Sequence, residues 1–274
     1  MVEPQRVAKL IARAGLCSRR DAERLIADGR VKLDGKVLTT PGVAVDDPGR
    51  IQVDGRPLPA RERTRLWRYH KPSGLVTTSR DPEGRPTVFD RLPQNLPRVL
   101  TVGRLDLTSE GLLLLTNDGA LARHLELPAT GWVRRYRVRV HGRPDPMRLG
   151  KLAEGVTVDG VKYGPVEARL EREKGGNAWL TMALSEGRNR EVRKLCESMG
   201  LPVSRLIRVA YGPFQLGLLP RGEVEEVPAR VLKDQVGQHY DSGPGRDSGE
   251  ESARKPDRHA PTRNAPGRHA HRRR

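Results

Sequence analysis

Residues 103–119 of this 274-residue chain read GRLDLTSEGLLLLTNDG, and they hold its best candidate for chemistry. Residues 99–102 read as a buried strand ending at Gly103. The run Leu112, Leu113, Leu114, Leu115 reads as a strand covered on both faces. Asp106 falls in the loop between them. A carboxylate fixed by a rigid sheet can serve as a nucleophile or as a general base. An aspartate in a loop is also a common turn cap. Residue type and placement alone leave both open.

The elements that would position Asp106 lie in a middle zone, residues 63–236, where strand-like and helix-like patterns alternate. Asn117, Asp118 and Gly119 read as a turn, and residues 120–125 begin a helix. Val192, Leu195, Cys196 and Met199 form one apolar helix stripe, with Arg193 beside it. A smaller zone, residues 1–60, precedes this one. Val7, Leu10, Ile11 and Ala14 share one helix face, and Arg6, Lys9 and Arg13 share the opposite face. Gly15 is a stop. Ser18 is the N-cap of a second helix carrying Ala22, Leu25 and Ile26 inward, with Asp21 three residues on. Asp34-Gly35 and Asp54-Gly55, each between apolar runs, predict two hairpins. The Pro-rich, charged stretch of residues 56–65 reads as a linker. From Gly237 to the end almost no large apolar residue occurs, so residues 237–274 are expected to be a disordered basic tail.

Charge points to the partner. The formal net charge is +17, which favours a polyanion. Nine basic and five acidic residues of the tail account for little of that excess, so residues 1–236 are themselves basic. No apolar run approaches the roughly 18 residues of a spanning helix, and the first residues lack a signal-peptide core. Nucleic acid is therefore the better partner than a membrane. Cys17 and Cys196 read as reduced thiols of a cytoplasmic protein. Ligand clusters for zinc are missing from the pattern, so no metal is expected. A charged helix face usually just meets water. Here Arg6, Lys9 and Arg13 are joined in one short zone by Arg19, Arg20, Arg24, Arg30 and Lys32, which predicts a phosphate-contacting patch.

The order of that zone, two helices with SRRDAERLI in the second and then V-x-L-D-G-K-x-L, resembles the small RNA-binding domain of the ribosomal-protein S-four type. The segment around Asp106, with Gly103, Arg104, Leu105, Ser109 and Gly111, resembles the signature of the RsuA family of rRNA pseudouridine synthases. So do HKPSGLVTTSRDPEGRPTVFDRLP at 70–93, EGRNREVRKL at 186–195 and VSRLIRVAYG at 203–212. The resemblance runs from about residue 4 to 232, with the motifs in the family's order. It implies an α+β protein: an S-four-like domain at 1–60, then a synthase domain at 63–236 with a mainly antiparallel, mixed sheet and a basic cleft at Asp106. It implies Asp106 as the essential carboxylate, Tyr136 as an aromatic face for the base, and Arg193 as the cation paired with the Asp. A guanidinium favours an ionised carboxylate in a partly dry pocket, and a ring stacks on a base taken from its helix.

Arg104 and Arg190 are expected to contact RNA alongside Arg6, Lys9, Arg13, Arg19, Arg20 and Lys32. Asn-Arg-Glu-Val-Arg at 189–193, where many relatives have His-Gln in place of Arg190-Glu191, resembles the large-subunit branch more than the small-subunit branch. Lys194 stands where relatives often carry Arg. The reaction breaks the bond from uracil to sugar, turns the base and rejoins it through carbon 5, so no cofactor is implied. The expected partner is rRNA or a pre-ribosomal particle, bound by a monomer. The rival readings are a non-catalytic RNA-binding ribosome-assembly factor and a general RNA chaperone. Retention of Asp106, Tyr136 and Arg193 together speaks against the first, and the near-complete motif set of residues 63–236 against the second.

Overall fold

In the computed structural model, residues 3–241 and 243 are described. Helix α1 (Val7–Arg13) buries Val7, Ala8 and Ile11. Helix α2 (Arg19–Ala27) buries Ala22 and Ile26, and its cap is the expected one: the Asp21 amide donates to Ser18 Oγ at 3.1 Å. Four short antiparallel strands follow, side by side in the order Lys36–Val37, Val31–Leu33, Ile51–Val53 and Arg56–Pro57. Both Asp-Gly pairs have positive φ at each residue, the geometry of a tight two-residue hairpin turn. The aspartates also accept bidentate pairs from elsewhere in this zone, Asp54 from Arg30 and Asp34 from Arg50. Val7, Ile11, Ala22, Ile26, Val31 and Ile51 close a core of their own.

The larger part is built on a nine-stranded sheet. Its strands are β1 (Leu66–Lys71), β2 (Leu100–Val102), β3 (Ser109–Thr116), β4 (Arg134–His141), β5 (Val166–Lys174), β6 (Asn177–Leu184), β7 (Val203–Tyr211), β8 (Phe214–Gln215) and β9 (Val224–Glu226). The main order is β5-β6-β4-β7-β3-β1-β9, with β2 beside β3 and β8 beside β7. Every pairing is antiparallel except β3 with β7. The sheet is thus mixed and mainly antiparallel, as the resemblance implies.

Strand β3 is buried along its whole length. Its leucines serve two cores. Leu113 and Leu115 join the cluster under α4 (Glu191–Ser198), with Val192, Leu195 and Cys196. Leu112 and Leu114 join the cluster under α3 (Gly119–Glu126) and α5 (Ala229–Val236), with Leu121, Leu125 and Leu232. The parallel seam is tight at one point. Gly111 pairs with Arg208 at φ +101°, and a Cβ there would lie 2.3 Å from the Arg208 carbonyl oxygen, so only glycine fits.

One expectation gains detail and one needs correction. Residues 56–65 join the two zones and are anchored at their far end. The Arg65 amide donates to Asn117 Oδ1 at 2.8 Å, its guanidinium pairs with Glu226, and Thr64 Oγ1 donates to Asp118 at 2.9 Å. The folded chain also does not stop at 236. Gly237–His239 form a helical turn, and His239 stacks on His124 with ring centroids 3.6 Å apart. Asp241 accepts ion pairs from Arg61 and Arg13. These few residues find partners that composition alone does not reveal. Apart from residue 243, the rest of the expected tail lies outside the described residues.

Candidate active site

Asp106 is half-buried in the wall of an open cleft of about 920 Å³. Its loop is tethered at several places. Thr77 Oγ1 donates to the Leu105 carbonyl at 2.7 Å, the Gly74 amide donates to the Leu107 carbonyl at 2.7 Å, and the Gly103 amide donates to Glu126 at 2.9 Å. The Ser109 amide donates to the Asp106 carbonyl at 3.0 Å as β3 begins. Backbone tethers hold the carboxylate without occupying it. Among the described residues no side chain hydrogen-bonds or ion-pairs with the Asp106 carboxylate.

Beneath the loop lies Lys71, the last residue of β1 and fully buried. Its Nζ donates to the carbonyls of Pro72, Asp106 and Ser109 at 3.1, 3.2 and 2.9 Å. Burial pulls its pKa down to about 8, against the opposing pull of Asp106 and Glu110. Lys71 therefore fastens the backbone of the candidate catalytic residue to the strand below it. Sequence reasoning did not single it out, although a signal existed. Trp67, Tyr69 and Lys71 alternate along β1 on the inward face, and a lysine at a core position calls for buried partners.

The three residues implied as catalytic do not play equal parts. Asp106 and Tyr136 both line the cleft, with Tyr136 on β4 opposite Arg208 of β7. Arg193 is buried behind the wall. It donates to Thr108 Oγ1 at 3.0 Å and to the Val203 carbonyl at 3.2 Å. The implied direct ion pair with Asp106 is absent here, since Arg193 has no carboxylate within 4.0 Å among the described residues. α4 packs by its apolar stripe and carries Arg193 inward with it, so the guanidinium reaches Thr108, two residues beyond Asp106. Burial and the neighbouring Arg190 lower the Arg193 pKa, and the Asp106 charge opposes them.

Two further buried cations line the cleft, and neither stood out in the sequence. Arg208 donates from Nε to the Leu112 carbonyl at 2.7 Å, and its guanidinium carbon lies 5.2 Å from the Tyr211 ring centroid. Arg134 donates to the Tyr211 hydroxyl at 2.9 Å. Both occupy inward strand positions, at the same parity as Tyr136 and Leu206, where an apolar residue is the norm.

The residues expected to contact RNA divide as well. Arg104 and Arg190 are exposed and line the cleft. Arg190 sits at the N-cap of α4 with φ 53°, a left-handed conformation that costs a non-glycine residue energy. Arg6, Arg19, Arg20 and Lys32 are exposed, and Lys9 is half-exposed. Arg13 differs from these. It turns toward the larger domain, 3.8 Å from Asp118 and 3.5 Å from Asp241, so its charge is used within the molecule. It lies at the C-terminal end of α1, where the helix meets the seam between the two parts.

Comparison with known proteins decides what this cleft belongs to. The model of a family described as RNA pseudouridylate synthase matches residues 65–198, and the S4 domain model matches residues 5–51. A Rickettsia bellii protein named "Uncharacterized RNA pseudouridine synthase" is 48% identical over 229 residues, spanning 84% of this chain and 99% of that protein. The chain belongs to the RNA pseudouridine synthases. A Pasteurella multocida protein named ribosomal large subunit pseudouridine synthase B is 43% identical to this synthase, covering 86% of the chain and 72% of the relative. A Salmonella typhi protein of the same name is 45% identical, covering 80% and 77%. A crystal structure of a pseudouridylate synthase aligns with a TM-score of 0.59 at 26% identity, over 84% of the synthase and 99% of that chain. The reaction of this family is internal to one nucleotide. The sugar–N1 bond breaks, the sugar–C5 bond forms, and the proton lost from C5 is balanced by one gained at N1.

Proposed function

We propose that this synthase isomerises a specific uridine of large-subunit rRNA, with Asp106 as the catalytic carboxylate. One observation carries the reading: in a basic cleft, the Asp106 carboxylate is left free while the backbone around it is tethered. A group that must approach the sugar needs open lone pairs and a fixed position. Tyr136 supplies an aromatic face for the extruded base. Arg193 acts through Thr108 and through its nearby charge. The relatives named for the large ribosomal subunit, and the Asn-Arg-Glu-Val-Arg segment, support rRNA of that subunit as the substrate. Arg6, Lys9, Arg19, Arg20 and Lys32 of an RNA-docking domain at 1–60, with Arg104 and Arg190 of the synthase domain at 63–236, meet the phosphates. The protein acts as a monomer in the cytoplasm, on rRNA or a pre-ribosomal particle.

The test is to map pseudouridines in rRNA from cells with and without the protein, and from cells carrying Asp106→Asn. One large-subunit site that disappears in both altered strains supports the reading. A complete modification pattern without the protein overturns it.

A further inference from the structure

Strands β4, β5 and β6 are covered on one face only. Along β4 the alternation is regular: Arg134, Tyr136, Val138 and Val140 are buried, while Arg135, Arg137, Arg139 and His141 point the other way. β6 repeats it, with Ala178, Leu180, Met182 and Leu184 buried and Trp179 and Thr181 on the open side. α3 and α5 cover this second face over the β3-β1-β9 half, and their cluster reaches Ile207 and Tyr211 of β7. Over the other half no helix of the described residues lies on it. Register sets the open residues in rows. Arg139 lies between Trp179 and Arg205, and Arg137 lies between Thr181 and Ile207. Arg169 pairs with Thr181 from the next strand.

The charges of this face are arranged in two ways. Arg137 is held by Glu171 at 2.9 Å and lies 4.7 Å from the Trp179 ring centroid. Arg205 is held by Glu110 at 2.8 Å. By contrast Arg135, Arg139 and Arg169 are at least partly exposed and have no carboxylate within ion-pair distance among the described residues. Successive residues on one side of a strand are about 6.6 Å apart. Three unneutralised guanidiniums are thus presented on a stiff surface, beside an aromatic ring already stacked by a fourth. A rigid array of guanidiniums suits phosphate oxygens, and an aromatic ring with a stacked arginine suits unpaired bases.

We propose that this open face is a second RNA-contacting surface, on the side of the sheet opposite the Asp106 cleft, which grips a part of the substrate RNA distant from the reacting uridine. The occupant is RNA because the unpaired charges are mainly positive, three arginines against Glu167, and because the enzyme already works on an RNA. The inference rests on the assignment of a long structured RNA as substrate. It makes the synthase a clamp on two separated stretches of one RNA.

The experiment uses the full chain with the triple substitution Arg135→Gln, Arg139→Gln and Arg169→Gln, and a matched triple Arg→Lys variant. Affinity is measured against salt for two RNAs, a short stem-loop holding the target uridine and a large-subunit rRNA domain holding the same stem-loop. Removing one phosphate-binding guanidinium should flatten the log-affinity against log-salt slope by roughly 0.7–0.9. The Gln variant is expected to flatten the slope on the long RNA by about 2, and to bind it about tenfold more weakly at moderate salt. Binding and turnover on the short stem-loop should stay unchanged, and the Lys variant should recover most of the slope. An unchanged slope on the long RNA overturns the proposal, including the outcome in which the face serves an acidic protein instead. An equal loss on both RNAs also overturns it, since the face would then serve the cleft. Unchanged turnover on the short RNA keeps the result separate from the assignment of the reaction, which Asp106→Asn tests.

Discussion

Two aspartates, Asp106 and Asp118, stand twelve residues apart in one motif and at opposite ends of one buried strand. Asp118 is almost fully used. It caps α3 by accepting from the Ala120 and Leu121 amides, accepts from Thr64 Oγ1, and lies 3.1 Å from Arg61 and 3.8 Å from Arg13. Asp106 is held by its backbone, and its carboxylate is left open to the cleft. The contrast separates a carboxylate that builds the fold from one free to react. Both are polar residues in loops beside strand β3. Only Asp118 has its lone pairs committed, and only for Asp118 does the fold depend on the charge.

Removing each charge tests the contrast. Asp106→Asn keeps size and shape. It should lower single-turnover pseudouridine formation by a factor on the order of 10³ or more, with RNA affinity and urea midpoint unchanged. Retained turnover would move the chemistry elsewhere. Arg193→Met, which strips the cation from behind Thr108, should slow the chemical step by roughly 100-fold through misplacement of the loop, with a much smaller change in RNA affinity. A defect confined to affinity would make Arg193 a phosphate contact instead.

Asp118→Ala should behave in the opposite way to Asp106→Asn. It should cost about 3 kcal/mol of stability, because it strands Arg61 and Arg13 and uncaps α3. Activity should be retained at temperatures where the variant is folded. The effect is pH-dependent with a definite sign. Burial alone would raise the Asp118 pKa, but the Ala120 amide, Thr64 and the two arginines more than offset it and leave it lowered. Its stabilisation is therefore present above the unfolded-chain value near 3.8 and is lost as pH falls through the folded value. Urea melts of the native protein and Asp118→Ala should converge toward that acid range. The smallest effect compares arginines of the N-terminal domain. Arg19→Gln with Arg20→Gln should flatten the salt slope of RNA binding by up to about 2 and leave stability alone. Arg13→Gln should leave the slope alone and lower the melting temperature slightly. The reverse pattern would mean that Arg13 leaves its partners when RNA binds.

What the sequence could reveal follows from how local each feature is. Ser18, the two Asp-Gly turns and the four leucines of β3 act through neighbours in the chain, and they appear in the structure as read. The Asp106 loop was legible because strand patterns flank it on both sides, although only the second of those strands is buried throughout. The ion pairs of Arg13 were not legible because its partners, Asp118 and Asp241, come from distant segments. On α1 alone its charge looks like that of Arg6 and Lys9. Lys71, Arg134 and Arg208 are ordinary basic residues in a composition full of them. Their inward positions become plain only when strand parity is followed through the assembled sheet. The implied contact of Arg193 with Asp106 failed for a similar reason. The motif gives the neighbourhood of a side chain, and the packing of α4 decides where its nitrogens end.

The pairing of Gly111 with Arg208 across the one parallel seam has a consequence for synthesis. β3 takes two neighbours, β1 and β2, from chain made before it and a third, β7, from chain made long after it. A nascent chain that ends before β7 carries the Asp106 loop on a strand whose edge is open over residues 109–111. It also lacks Arg208 on the cleft wall, and an unpaired edge is a site of wrong pairing. The glycine lets the late strand dock against β3 without displacing it. The carboxylate made midway through translation thus waits on an unclosed sheet, and the cleft is complete only once the strand carrying Leu206 and Arg208 is in place.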